Sequence, residues 1–313
     1  MTSTRKIAFL FPGQGSQAAG MGKESAEKFS VARETFAEAD TALGYPLSEL
    51  CFEGPEEKLK MTEITQPAIL ATSVAVLRVL REKGVTPQIA AGHSLGEYSA
   101  YVAAGTLTFA DALRTVRNRG KYMQEAVPAG MGAMAAVLGM EIGPLTEVCG
   151  EAAQGEVVSP ANINSPSQIV ISGHAAAVQR AAELAKARGA KRAILLPVSA
   201  PFHCALMQPA QDRLAADLQQ LTFRDASFPV VKNIDAQPTS RGDEARKALV
   251  LQVTGAVQWV ETVRTLVSQG VTHFIEVGPG KVLCGLVGQI EKGATCANVQ
   301  DEASLEKALA TLA

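Results

Sequence analysis

The stretch 88–105, QIAAGHSLGEYSAYVAAG, leaves a chain few ways to fold. Residues 88–91 are short, apolar at the centre and preceded by Pro87, which reads as a buried strand. Gly92-His93-Ser94-Leu95-Gly96 then turns sharply, and 97–104 reads as a helix of small and apolar residues. Strand, G-x-S-x-G, helix is the order of a nucleophile elbow, in which the glycines allow a turn tight enough to expose the serine hydroxyl. The helix N-terminus beyond it offers N–H groups to an oxyanion. The five-residue pattern is common by composition; its placement makes Ser94 a candidate nucleophile. The other reading is a tight turn with a capping serine.

The chain has 313 residues, which points to about two domains. With 47% hydrophobic and 19% charged residues, a large core is available and disorder is not expected. A net charge of −2 without a basic block argues against nucleic-acid binding. The apolar run near the N-terminus is cut off by Pro12-Gly13, too short for a signal core or a membrane span, so a soluble cytoplasmic protein with no membrane contact is expected. The five cysteines, Cys51, Cys149, Cys204, Cys284 and Cys296, are scattered and odd in number, suggesting neither a disulfide frame nor a zinc site.

In chain order, a strand at 6–11 leads into the loop Pro12 to Gln17 and a helix over 24–43. Gly13-x-Gly15 only superficially matches a dinucleotide fingerprint: Pro12 breaks the junction, and no acidic residue ends a second strand at the required distance. What remains is a loop of small residues whose N–H groups can face a pocket, as the second oxyanion donor of an elbow enzyme does. Helices follow at 56–61, 65–83 and 108–126, the last opening on a Thr108 cap with Asp111 three residues on. Arg114, Arg117, Arg119 and Lys121 lie along that helix; most make a solvated face, with room for one inward arginine.

At Val127-Pro128 the texture changes. Strands at 132–138, 157–161, 168–172 and 193–198 and helices at 142–153 and 174–188 give the order βαββαβ, a ferredoxin-like unit. The longer α/β style then resumes, with helices at 204–221, 244–252, 257–269 and 282–291 and strands at 229–233 and 272–277. The expected fold is therefore α/β, with a large subdomain from 1–127 and 199–313 and a small inserted one at 128–198.

A serine nucleophile needs a base, and the chain has four histidines. His93 adjoins Ser94 and should project away, His174 opens a helix, and His273 lies in a strand. His203 sits in a loop where the small unit returns to the large one; it is either the base or a loop histidine bonded to backbone. Cys204 beside it is expected to be packed. No carboxylate stands where a Ser…Asp/Glu…His triad would place it, since Asp111 belongs to a helix start. A carbonyl or amide orienting the imidazole would serve instead.

Phe11 to Gln17, Gly92 to Glu97, Arg119-Gly120, Met131 to Met134, Ala161 to Pro166, Phe202-His203 and Glu276 to Gly280 occur in one order. As a set spanning nearly the whole chain, they resemble the malonyl-CoA:acyl carrier protein transacylases of bacterial fatty-acid synthesis. The resemblance implies an α/β-hydrolase-like large subdomain with a ferredoxin-like insert. It implies that Ser94 is acylated, that His203 is base and then acid, and that the N–H groups of Gln14 and Leu95 form the oxyanion hole. Gln252 would orient the histidine through a carbonyl, and Arg119 would grip the malonyl carboxylate with its planar fork. Asn162 and Phe202 would lie at the same pocket.

The expected reaction moves a malonyl group from coenzyme A to the phosphopantetheine thiol of acyl carrier protein, with no cofactor beyond the thioester, in a monomer. Lys186, Arg188, Lys191 and Arg192 either meet CoA phosphates or an acidic carrier, or form a solvated helix end. Two rivals stand beside this: a serine thioesterase or esterase on the same fold, and a non-catalytic carrier-docking protein. The first gives no reason for a buried Arg119; the second none for Ser94, His203, Gln252 and Arg119 together.

Overall fold

A computed structural model describes residues 5–198 and 200–312, so Ser199, where the large subdomain was expected to resume, lies outside the described residues. The chain opens with β1 (Ile7–Phe11), followed by α1 (Lys23–Lys28), α2 (Ser30–Leu43), α3 (Leu47–Glu53), α4 (Glu56–Leu59) and the long α5 (Thr62–Glu82). The single helix expected over 24–43 is two, because Phe29 adopts an extended conformation between them, φ −119° and ψ 121°. Helix α5 is long and apolar enough to cross a bilayer, but 83% of its apolar window is buried in the protein.

β2 (Ile89–Gly92), α6 (Gly96–Ala103) and α7 (Phe109–Glu125) make the elbow and its flank. The Thr108 hydroxyl caps α7 by accepting from the Asp111 N–H at 3.1 Å. Next come β3 (Gly132–Leu138), α8 (Ile142–Ala153), β4 (Val158–Ser165), β5 (Gln168–His174), α9 (Ala175–Ala187) and β6 (Arg192–Leu195). These four strands form their own antiparallel sheet in the order β4-β5-β3-β6, with two helices filling the crossovers. Residues 162–165, expected as a loop, continue β4 as far as Ser165. Pairing with β5 overrides the turn preference of Asn162 and Asn164, and as an edge strand β4 tolerates Pro160.

The remainder is α10 (Gln208–Gln219), β7 (Val230–Val231), β8 (Pro238–Thr239), α11 (Gly242–Leu251), α12 (Trp259–Ser268), β9 (His273–Val277), α13 (Val282–Ile290), β10 (Thr295–Val299) and α14 (Glu302–Leu312). The helix expected from Cys204 begins instead with a short 3-10 turn, Ala205–Met207. The large sheet runs β10-β9-β1-β2-β7-β8, parallel throughout except for β8. β1 and β2 are central and fully apolar, as strands covered on both faces must be. Sequence patterning had not indicated α3, β8, β10 or α14, all short or at the margin of the sheet.

The cysteine spacing suggested no disulfide frame, and one disulfide is present: Cys284 on α13 and Cys296 on β10 are joined, with Cα atoms 5.4 Å apart. Their spacing gave no signal because they meet only when β10 pairs with β9. Cys51, Cys149 and Cys204 are free and buried.

The two sheets are joined beside the elbow. The Ile163 N–H donates to Val257 O at 2.9 Å, and the Val257 N–H donates to Ala161 O at 2.8 Å. This short parallel bridge ties β4 to the segment entering α12 and so fixes the small sheet over the C-terminal ends of β1 and β2.

Candidate active site

Ser94 stands at the tip of the turn between β2 and α6, with φ at 52°. The turn needs its glycines: a Cβ on Gly92 would lie 2.0 Å from the Gly96 backbone, and one on Gly96 would lie 2.0 Å from Phe11 O. Backbone forced into the left-handed region at a non-glycine residue is characteristic of functional turns. The Ser94 N–H is held at 2.7 Å by Asn233 Oδ1, whose own Nδ2 donates to Gly92 O at 2.7 Å. Asn233 is fully buried, and its position in a turn after β7 carried no sequence signal.

The Ser94 hydroxyl is 2.8 Å from His203 Nε2. His203 also has a positive φ, 59°, in the loop that returns from the small sheet. Its Nδ1 faces two main-chain carbonyls, Gln252 O at 2.8 Å and Gly255 O at 3.2 Å. Gln252 directly follows α11, where carbonyls are left without helical partners, so the helix end orients the imidazole. No carboxylate touches the ring among the described residues. Burial first, and the nearby Arg119 charge second, push the His203 pKa down to about 3, which keeps the imidazole neutral and able to accept a proton. The Gln252 carbonyl expected beside the histidine is thus that of the main chain.

The Gln252 side chain does something else. Its Oε1 accepts from Arg119 Nη2 at 3.0 Å, and its Nε2 donates to Glu97 Oε2 at 2.7 Å and to Ser94 O at 2.9 Å. Arg119, only 2% exposed, is the one cation of α7 that turns inward. Arg114 pairs with Asp111 at 2.9 Å, Arg117 lies over the Tyr45 ring, and Lys121 is exposed. α7 sits close enough to α5 for this because Gly120 has no side chain; a Cβ there would meet Thr62 O at 2.5 Å. From α5, Gln66 Oε1 accepts from Arg119 Nη1 at 2.8 Å. Gln66 was not singled out by sequence, being one polar residue in a long apolar helix. Arg119 Nε is buried with no partner.

Ser94, Arg119, Gln66, Asn162, Phe202 and His203 line one pocket, which Gln14 and Leu95 also border. Asn162 presents a buried Oδ1 with no partner, and Phe202 is half-buried beside His203. The N–H groups of Gln14 and Leu95 make no hydrogen bond among the described residues. The other histidines stand elsewhere: His93 Nε2 pairs with Asn164 Oδ1 at 2.8 Å, His174 Nδ1 accepts from the Val157 N–H, and His273 neighbours Thr272. Cys204 is packed, its thiol donating to Pro201 O and its pKa raised by burial. Lys186, Lys191 and Arg192 are exposed, and Arg188 pairs with Glu151.

A hydroxyl bonded to a neutral imidazole, at an elbow with free N–H groups, has the geometry to form serine esters: the fold and site define an acyl-group enzyme of the nucleophile-elbow class. An acyl transferase domain is matched over residues 8–306, and the chain belongs to that family, within its malonyl CoA-acyl carrier protein transacylases. The transacylase of that name from Escherichia coli K12 is 52% identical over 305 residues, covering 97% of this chain and 99% of the relative. That from Bacillus subtilis is 50% identical over 308 residues, covering 98% and 97%. Among solved structures, a malonyl-transacylase in complex with its type II PKS acyl-carrier protein superimposes with a TM-score of 0.95 at 50% identity, covering 98% of this chain and 99% of that one. The transacylase from Coxiella burnetii superimposes at 0.96 with 44% identity, covering 98% of both chains.

Proposed function

We propose that this enzyme transfers a malonyl group from coenzyme A to the phosphopantetheine thiol of an acyl carrier protein through a malonyl ester on Ser94. One observation carries the choice of acyl group: a buried guanidinium bonds the nucleophile itself, Arg119 Nη2 to Ser94 Oγ at 3.0 Å, with a further N–H unpartnered. A planar fork beside the reacting serine suits an acyl group that ends in a carboxylate.

In the first half-reaction Ser94 Oγ attacks the thioester carbonyl while its proton passes to His203 Nε2. The carbonyl oxygen takes the negative charge between the N–H groups of Gln14 and Leu95. The C–S bond then breaks, and His203 returns the proton to the departing CoA thiolate. In the second half the carrier thiol gives its proton to His203, sulfur attacks the ester carbon, the C–O bond breaks, and Ser94 recovers the proton. The two main-chain carbonyls at Nδ1 keep the imidazole in the tautomer that accepts at Nε2. Asn162 and Phe202 shape the wall facing the acyl group, and no cofactor other than the thioester is needed. The setting is the bacterial cytoplasm, and the enzyme works as a monomer.

Intact mass after incubation with malonyl-CoA tests this. A malonyl adduct that requires Ser94 and is discharged onto added carrier supports a transferase. An adduct lost to water at the same rate with or without carrier indicates a thioesterase, and no adduct indicates a docking protein.

A further inference from the structure

Each hydrogen-bond acceptor of the buried Arg119 among the described residues is neutral: Gln66 Oε1, Ser94 Oγ and Gln252 Oε1. A buried cation without a counter-charge is costly. The nearest balancing charge is one amide away. Gln252 Oε1 accepts from Arg119, and the same amide's Nε2 donates to Glu97 Oε2 at 2.7 Å. Glu97 is fully buried in the first turn of α6, three residues after the nucleophile. Its remaining contacts are donors as well, the Asn233 N–H at 3.1 Å and the Tyr101 hydroxyl at 3.3 Å.

We propose that Glu97 is the resident counter-charge of Arg119, and that it takes up a proton when the carboxylate of a malonyl group reaches Arg119. The proposal rests on the malonyl reading above. Two carboxylates cannot share one buried guanidinium without raising the affinity of one of them for a proton. The substrate carboxylate sits on Arg119 directly, so Glu97, one amide removed, is the one to neutralise. Its surroundings accommodate this: a proton on Oε1 can be donated to the Tyr101 oxygen, while Oε2 keeps both of its N–H donors. Burial already holds the Glu97 carboxyl up at about 7, so a modest added negative potential tips it.

The ionisable groups around it leave this assignment in place. His203 and His93 are held towards the neutral form by burial. Tyr98 and Tyr101 on the same helix have raised pKa values and stay protonated. Asp235, in the turn after β7, pairs with Lys232, and Glu244 on α11 bonds Thr239. Arg81 from α5 donates to Ala103 O at the far end of α6. Glu97 touches no reacting atom and is a positioning residue. Below about pH 7 the empty site already holds the proton and none is taken up, whereas above it binding must recruit one and malonyl affinity falls.

The test uses the full chain with Ser94→Ala to prevent acylation. Calorimetric titrations with malonyl-CoA and acetyl-CoA, each in two buffers of different ionisation enthalpy, count the protons bound. Acetyl-CoA carries the same phosphates without the carboxylate, so the difference belongs to the carboxylate alone. Above about pH 7 malonyl-CoA should take up more protons per site than acetyl-CoA, the excess approaching one as pH rises, with affinity falling towards about tenfold per further pH unit. Glu97→Gln in the same background, which has the shape of the protonated acid, should bind malonyl-CoA with no excess proton and a flat pH profile. The proposal is overturned if malonyl-CoA binds more tightly than acetyl-CoA without excess uptake, or if the excess survives in Glu97→Gln. Equal binding of the two thioesters would overturn the malonyl reading itself and this proposal with it.

Discussion

Arg119 Nη2 lies 3.0 Å from Ser94 Oγ, so the proposed carboxylate-binding group touches the proposed nucleophile. The hydroxyl is thereby held between a cation that it accepts from and an imidazole, 2.8 Å away, that it donates to. Entry of an acyl group with its own carboxylate gives the guanidinium a stronger partner and leaves the hydroxyl to His203 alone.

Ser94→Ala should abolish the acyl-enzyme and leave the fold intact, because the turn geometry depends on Gly92, Gly96 and the Asn233 hydrogen bonds to main chain. Intact mass and thermal unfolding check this. An adduct that persists in the variant would place the nucleophile elsewhere.

His203→Ala should slow both half-reactions by roughly 10²–10⁴-fold, the usual loss for an acid–base group. Because burial and Arg119 lower the pKa of His203, the imidazole stays in its basic form well below the ordinary histidine range. The acid limb of kcat/KM for acyl-enzyme formation should therefore lie clearly below pH 6.5, the value from which that pKa is lowered. Arg119→Ala, which removes one of the two main causes, should move the limb upwards. A wild-type limb centred at an unperturbed histidine value would contradict the site's electrostatics.

Gln252 separates two roles by atom. Its main-chain carbonyl orients His203 and survives any side-chain substitution, while its amide bridges Arg119 and Glu97. Gln252→Ala should leave the acid limb close to wild type and chiefly raise KM for malonyl-CoA. An unchanged KM with a shifted limb would reverse that division.

The elbow, the missing triad acid and the βαββαβ unit were legible because each is local: glycine spacing, the placement of the acidic residues between serine and histidine on helices or turns, and an alternation of strand and helix. Gln66, Asn233 and the Glu97–Gln252–Arg119 chain were not, since they join α5, the turn after β7, α6, α11 and α7. Such contacts exist only once the parallel sheet has brought distant segments together. For the same reason Asn162 read as a loop residue: its strand conformation comes from pairing with Val170, not from its own preference. The disulfide between Cys284 and Cys296 likewise depends on β10 reaching the sheet.

Asn233→Ala should weaken the elbow, since it removes a buried acceptor for the Ser94 N–H and a donor to Gly92 O. Leaving such groups unpaired costs about 1–3 kcal/mol each. Thermal unfolding should show a clear loss of stability together with slower acylation, and a variant of wild-type stability would mean that water replaces the amide.

The central claim is that Arg119 selects the carboxylate, and kcat/KM for malonyl-CoA against acetyl-CoA in wild type and Arg119→Ala tests it most directly, with Ser94 adducts counted by mass. The charge-assisted pair is worth on the order of 2–4 kcal/mol when desolvated, and acetyl has nothing to pair. The variant should lose malonyl transfer and keep or gain acetyl transfer, reversing the wild-type preference, and Arg119→Lys should restore malonyl transfer only partly. Equal loss for both thioesters would mean that Arg119 supports the fold or holds coenzyme A, and would contradict its assignment as the carboxylate's partner.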